Sequence, residues 1–130
     1  MFIETQKRVI AKSDKEVFDF LTNLENFEKL MPKTIDKFEV LNKDRFLFAL
    51  KGMPEIVLER KKETPNSQLI LGAASEKLPF TLTADINALN DTSCEVALSF
   101  EGQFNAMMAM MIKNPITNFM GTLSENLENI

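Results

Sequence analysis

Histidine, tyrosine and tryptophan are all absent from the chain. A reaction near neutral pH would therefore have to run on tuned carboxylates, lysine, the lone Cys94 or a metal held by oxygen ligands. The spacings assemble no such site. Asp36 and Glu39 stand three apart in a strand or loop, where that separation does not aim two carboxylates at one point. Asp85 falls on the outer side of its strand, and Glu125 and Glu128 read as a solvated stripe on a terminal helix. Cys94 reads as a small buried hydrophobe, because no imidazole is present to take its proton. No metal-ligand spacing, phosphate loop or nucleophile elbow occurs. We therefore expect no catalytic residue, no metal ligand and no cofactor.

Two features remain. If Ile56 and Leu58 face inward, the period of two sends Arg60 inward as well, where a guanidinium could pair bidentately with a ligand carboxylate. The alternative is that the strand has left the core by Arg60 and the side chain snorkels into water. The second feature is the run Ala106-Met107-Met108-Ala109-Met110-Met111-Ile112, apolar on every side if helical. Thioether chains are flexible and polarizable, which suits either a gap-filling core or a surface that adapts to several ligand shapes.

The elements that position these residues are set by periodicity. Residues 2 to 10 alternate loosely and predict a first strand. Ser13-Asp14-Lys15-Glu16 is a capping box that starts a helix at Asp14, with Val17, Phe18 and Leu21 on one face. A second short helix places Leu24, Phe27 and Leu30 or Met31 together, and Pro32 closes it. From Lys37 to about Asn105 the period is two, broken by turn signals at 42–44, 52–54, 64–67, Glu76 to Pro79, and 90–91. About six antiparallel strands joined by short hairpins are implied. Asn114-Pro115 predicts a helix restart, leaving 105 to 113 free to move independently. Ile116, Phe119, Met120, Leu123, Leu127 and Ile130 line one face of the restarted helix.

The stretch from Ser13 to Pro32 resembles the helix pair of the START-like (SRPBCC, helix-grip) superfamily, which includes pollen-allergen-like proteins, lipid-transfer START domains and polyketide cyclases and dehydrases. The order of elements over the whole chain is similar too. The resemblance implies an α+β fold spanning residues 1–130 as one domain, a curved antiparallel sheet of about seven strands around a long C-terminal helix. It also implies an apolar cavity between sheet and helix. The residues expected on its walls are Phe46, Phe48, Leu58, Leu71, Leu82, Leu98, Met108, Met111, Phe119 and Met120, with Arg60 near the mouth.

A chain of 130 residues can bury roughly two-thirds of its unfolded surface, enough for a core. A net charge of -4 and interleaved basic residues such as Glu59-Arg60-Lys61-Lys62-Glu63 argue against a nucleic-acid partner. No apolar run approaches the roughly 20 residues of a membrane span, no secretory signal is expected at the start, and a single cysteine fits a reducing cytoplasm. The expected function is non-catalytic binding or transport of a hydrophobic small molecule. The alternatives are a polyketide cyclase or dehydratase-type enzyme and an interaction module that self-associates weakly through Met107–Ile112.

Overall fold

The computed structural model describes residues 1–75 and 79–130. The amino-terminal segment expected as one strand is two: β1 (Phe2–Glu4) and β2 (Arg8–Ile10), both antiparallel to the last strand. Register explains the break. Glu4 lies opposite Ser99 and Arg8 opposite Val96, so residues 5 to 7 face residues 97 and 98, and the surplus residue bulges out of the ladder. Thr5 bridges the gap, its amide donating to the Leu98 carbonyl at 2.8 Å and its hydroxyl accepting from the Leu98 amide at 3.0 Å.

The expected capping box starts α1 (Asp14–Thr22). The Ser13 hydroxyl accepts from the Glu16 amide at 3.1 Å while the Glu16 carboxylate accepts from the Ser13 amide at 3.4 Å. Val17, Phe18 and Leu21 are buried. The second short helix is a 3-10 helix, Leu24–Leu30, burying Leu24, Phe27 and Leu30. Their spacing of three is the period of that tighter coil.

Six further strands complete the sheet: β3 (Lys37–Asn42), β4 (Arg45–Ala49), β5 (Ile56–Thr64), β6 (Gln68–Ala73), β7 (Phe80–Asn90) and β8 (Ser93–Gly102). With the two short amino-terminal strands they form one eight-stranded antiparallel sheet, ordered β1-β8-β7-β6-β5-β4-β3, with β2 also on β8. Gly52, at φ 79°, makes the turn after β4 possible, since a side chain there would be strained. The turn between β5 and β6 puts Pro65 before Asn66 at φ 64° and is closed by the Ser67 amide on the Thr64 carbonyl at 3.0 Å. The turn expected from Glu76 to Pro79 falls largely at 76–78, outside the described residues.

The long helix differs from expectation. There is no restart at Asn114: α2 runs unbroken over Ala106–Leu127 with Pro115 inside it, and its cap is Asn105, whose side chain accepts from the Met108 amide at 2.8 Å. Residues 106 to 113 are thus continuous with the rest of the helix. A proline removes one bond from the ladder, whereas a true break would strand up to four amides and four carbonyls. The carboxyl-terminal half of α2 is tied down from several sides. Arg8 donates to the Ser124 hydroxyl at 3.0 Å and to the Glu128 carboxylate at 2.9 Å, and the Asn126 amide donates to the Leu30 carbonyl at 2.9 Å.

Candidate functional site: an apolar cavity between sheet and helix

The two ends of the space between sheet and α2 are filled differently. At the end covered by α1 and the 3-10 helix, Leu21, Leu30, Leu69, Leu71, Leu98, Leu123 and Leu127 close around a void of ≈ 10 Å³. That is about the space of a single water, so this half is packed core. At the other end lies a cavity of ≈ 990 Å³.

Strand parity builds its walls. Phe48 on β4, Ile56 and Leu58 on β5, Leu82 on β7 and Phe100 on β8 project onto the concave face, and Ile116, Phe119 and Met120 close it from α2. Aromatic pairs stiffen opposite sides. Phe48 stacks on Phe119 with ring centroids 5.1 Å apart and planes within 6°. Phe80 stacks on Phe100 at 5.1 Å, and Phe104 lies parallel to Phe100 at 6.2 Å. Such offset pairs hold their rings in place beyond what area burial alone supplies. Met107, Met108 and Met111, from the first turns of α2, complete the wall beside the loop of Lys51 to Glu55.

Among the described residues, every polar or charged one on this wall is exposed: Arg45, Lys51, Glu55, Ser75 and Asn105. Arg45 pairs with Glu59 at 2.8 Å and Glu55 with Lys37 at 3.2 Å, both at the surface. The buried and half-buried wall residues are apolar throughout. Among the described residues, no group of three His, Cys, Asp or Glu side chains is placed to hold a metal ion.

Of the residues expected on the wall, Phe48, Leu58, Leu82, Met108, Met111, Phe119 and Met120 line the large cavity. Leu71 and Leu98 lie in the packed end. Phe46 lies in an aromatic cluster behind the wall, 5.2 Å from Phe27 and 5.3 Å from Phe38. Arg60 is not on the cavity wall. It does point inward, opposite Leu71, but at the packed end, beside a bulge between Arg60 and Lys62. There its guanidinium donates to the carbonyls of Thr22 and Lys43, each at 2.8 Å, to Asp44 at 3.1 Å, and to Glu63. Thr22 ends α1, which has no basic residue in its last turn. Arg60 thus brings the positive charge favoured at that helix terminus from another element.

Ile56, Phe80, Phe100, Phe104, Ile112 and Ile116 also belong to the wall. Parity carried the signal for Phe80, in phase with Leu82, and for Phe100, in phase with Leu98. Phe104 and the loop of Lys51 to Glu55 have no periodicity to reveal them.

No protein-family model and no curated protein matches the chain. Solved structures do. A START superfamily protein from Mycobacterium smegmatis is 13% identical with a TM-score of 0.74, the match covering 98% of this chain and 94% of that one. Norcoclaurine synthase from Thalictrum flavum, solved in complex with dopamine and hydroxybenzaldehyde, is 11% identical with a TM-score of 0.77, covering 99% and 84%. A protein from Thermus thermophilus is 12% identical with a TM-score of 0.73, covering 99% and 95%. At such identities the likeness establishes the fold: the chain has the START-like helix-grip architecture. None of its helices is long and apolar enough, among the described residues, to cross a membrane.

Proposed function

We propose that residues 1–130 act as one helix-grip domain that binds or carries a hydrophobic small molecule, lipid-like or polyketide-like, without transforming it. One observation carries the reading: the cavity is large and its buried wall is wholly apolar among the described residues, while charge is confined to the exposed rim. A volume of ≈ 990 Å³ stands at the upper end of the roughly 300–1,000 Å³ range of small-molecule sites. Affinity then comes from apolar surface removed from water, at roughly 25 cal/mol per Å², with little polar selectivity.

A cyclase or dehydratase needs acid and base groups within hydrogen-bond reach of the reacting atoms. Among the described residues the titratable wall groups, Arg45, Lys51 and Glu55, stand in solvent instead, which favours binding over catalysis. The single, buried Cys94 supports a reducing compartment, the cytoplasm, as the place of work.

Native mass spectrometry of protein purified from its own cells tests the proposal. Added mass that survives gentle ionisation is the expected result. A bare-chain mass, together with no uptake of any fatty acid, lipid or aromatic probe, would overturn it. The exposed Met107, Met110 and Met111 favour one subsidiary reading, weak self-association through Met107–Ile112. Light scattering that reports a monomer at every concentration would dismiss it.

A further inference from the structure

We infer that Met107 and Met111 form an oxidisable lip on the cavity, and that their conversion to sulfoxides by hydrogen peroxide lowers the cavity's affinity for apolar molecules. The inference rests on the ligand-binding reading above. The chain has eight methionines, and exposure divides them. Met31 and Met120 are 7% and 1% exposed, whereas Met107, Met110 and Met111 are 75%, 82% and 70% exposed. A thioether is oxidised only where the oxidant can reach its sulfur, so the three exposed residues react first. The one thiol, Cys94, is buried and does not compete for the peroxide.

Position then separates the three. Met107 and Met111 are four apart on α2, hence on one face, and both line the cavity. Met110 is at least as exposed and lies off it. Chemistry at Met107 and Met111 therefore reaches the ligand's path, and the same chemistry at Met110 does not.

The reaction balances with peroxide as sole oxidant. A sulfur lone pair attacks one peroxide oxygen, the S–O bond forms as the O–O bond breaks, and the departing hydroxide takes the remaining proton and leaves as water. Sulfur loses two electrons and the peroxide gains them. The product carries a strongly polar acceptor oxygen where an apolar thioether stood. A ligand passing or touching the lip must then strip water from that oxygen without offering it a donor, an unfavourable exchange. Sulfoxide reductases reverse the change, so the lip is a switch rather than a lesion.

The experiment is a titration with N-phenylnaphthylamine, a neutral dye that fluoresces in apolar surroundings, before and after graded peroxide treatment. Peptide mass spectrometry scores each methionine in parallel. Sulfoxide is expected at Met107, Met110 and Met111 ahead of Met31 and Met120, with dye affinity falling roughly tenfold as Met107 and Met111 convert. At peroxide doses that leave the half-buried Met53 and Met108 on the same wall unoxidised, a Met107→Leu, Met111→Leu double variant should keep its affinity through the treatment, and Met110→Leu should lose affinity as the parent does. Reduction of the sulfoxides should restore binding. Full conversion of Met107 and Met111 with unchanged affinity overturns the switch alone. So does equal loss in the double variant. Failure of the untreated protein to take up dye or lipid overturns the cavity reading, and this inference with it.

Discussion

Phe46 and Phe48 sit two positions apart on β4 and point to the same side, yet they serve different purposes. Phe46 is sealed among Phe27, Phe38 and Phe48, while Phe48 stacks on Phe119 and borders the open cavity. Phe46→Ala leaves a closed void and should cost about 3–5 kcal/mol in denaturant melts. Phe48→Ala opens onto existing space, so its stability cost should be smaller and the change in dye affinity larger. Equal stability losses with equal affinities would erase the distinction. Cys94 offers a residue-scale test in pH. Burial, and after it the Asp14 carboxylate, push its thiol up from the ordinary 9.0. The unfolded chain then gives up the proton first as pH rises, so stability is unaffected below that value and declines above it, toward the raised folded value. The wild type should lose more stability than Cys94→Ala as pH rises above about 9. Parallel curves would remove the effect.

At the scale of elements, α2 is one helix with two kinds of surroundings. Its carboxyl-terminal half is bound to β2 and the 3-10 helix through Ser124, Asn126 and Glu128, and its first turns carry the exposed methionines. Pro115 stands between the halves and denies the Met111 carbonyl its bond. Pro115→Ala should restore that bond, raise Tm by a few degrees and slow dye release. Release that is unchanged while Tm rises would show that the proline does not govern access. The clasp at the other end predicts the opposite split. Arg60→Met leaves the Thr22 and Lys43 carbonyls without their charged donor and should cost about 2 kcal/mol with dye affinity intact. A loss of affinity at unchanged stability would put Arg60 in contact with the ligand after all. The sequence made these elements legible where a local rule acts alone, as in the Ser13 capping box and the alternation of Phe46 and Phe48. It misread them in two places. The split of the first strand depends on its register against β8, a distant partner, and α2 runs on through Pro115 because one lost bond costs less than a second pair of unpaired helix ends.

For the molecule as a whole, periodicity states which face a side chain takes but not how far along the barrel it lies. Leu71 and Leu82 are in phase on adjacent strands, opposite each other in register, and Leu71 reaches only the packed end while Leu82 touches both. Arg60 shows the same limit, inward in phase but at the closed end. The cavity's position was therefore legible as a side of the sheet and not as an end of it. That end depends on where α1 and the 3-10 helix cover the sheet, a long-range arrangement with no local signature. The hollow end makes hydrostatic pressure an informative variable. Folded, the chain holds open ≈ 990 Å³ whose buried and half-buried walls, among the described residues, are apolar and offer water no side-chain partner. Unfolding surrenders that space, so the volume decrease on unfolding should approach the large end of the roughly 20–100 mL/mol seen for globular proteins. A guest that packs the cavity removes most of this difference. Pressure should therefore unfold the empty protein at markedly lower values than the dye-filled one, and coincident pressure midpoints at saturating dye would mean that the guest sits elsewhere.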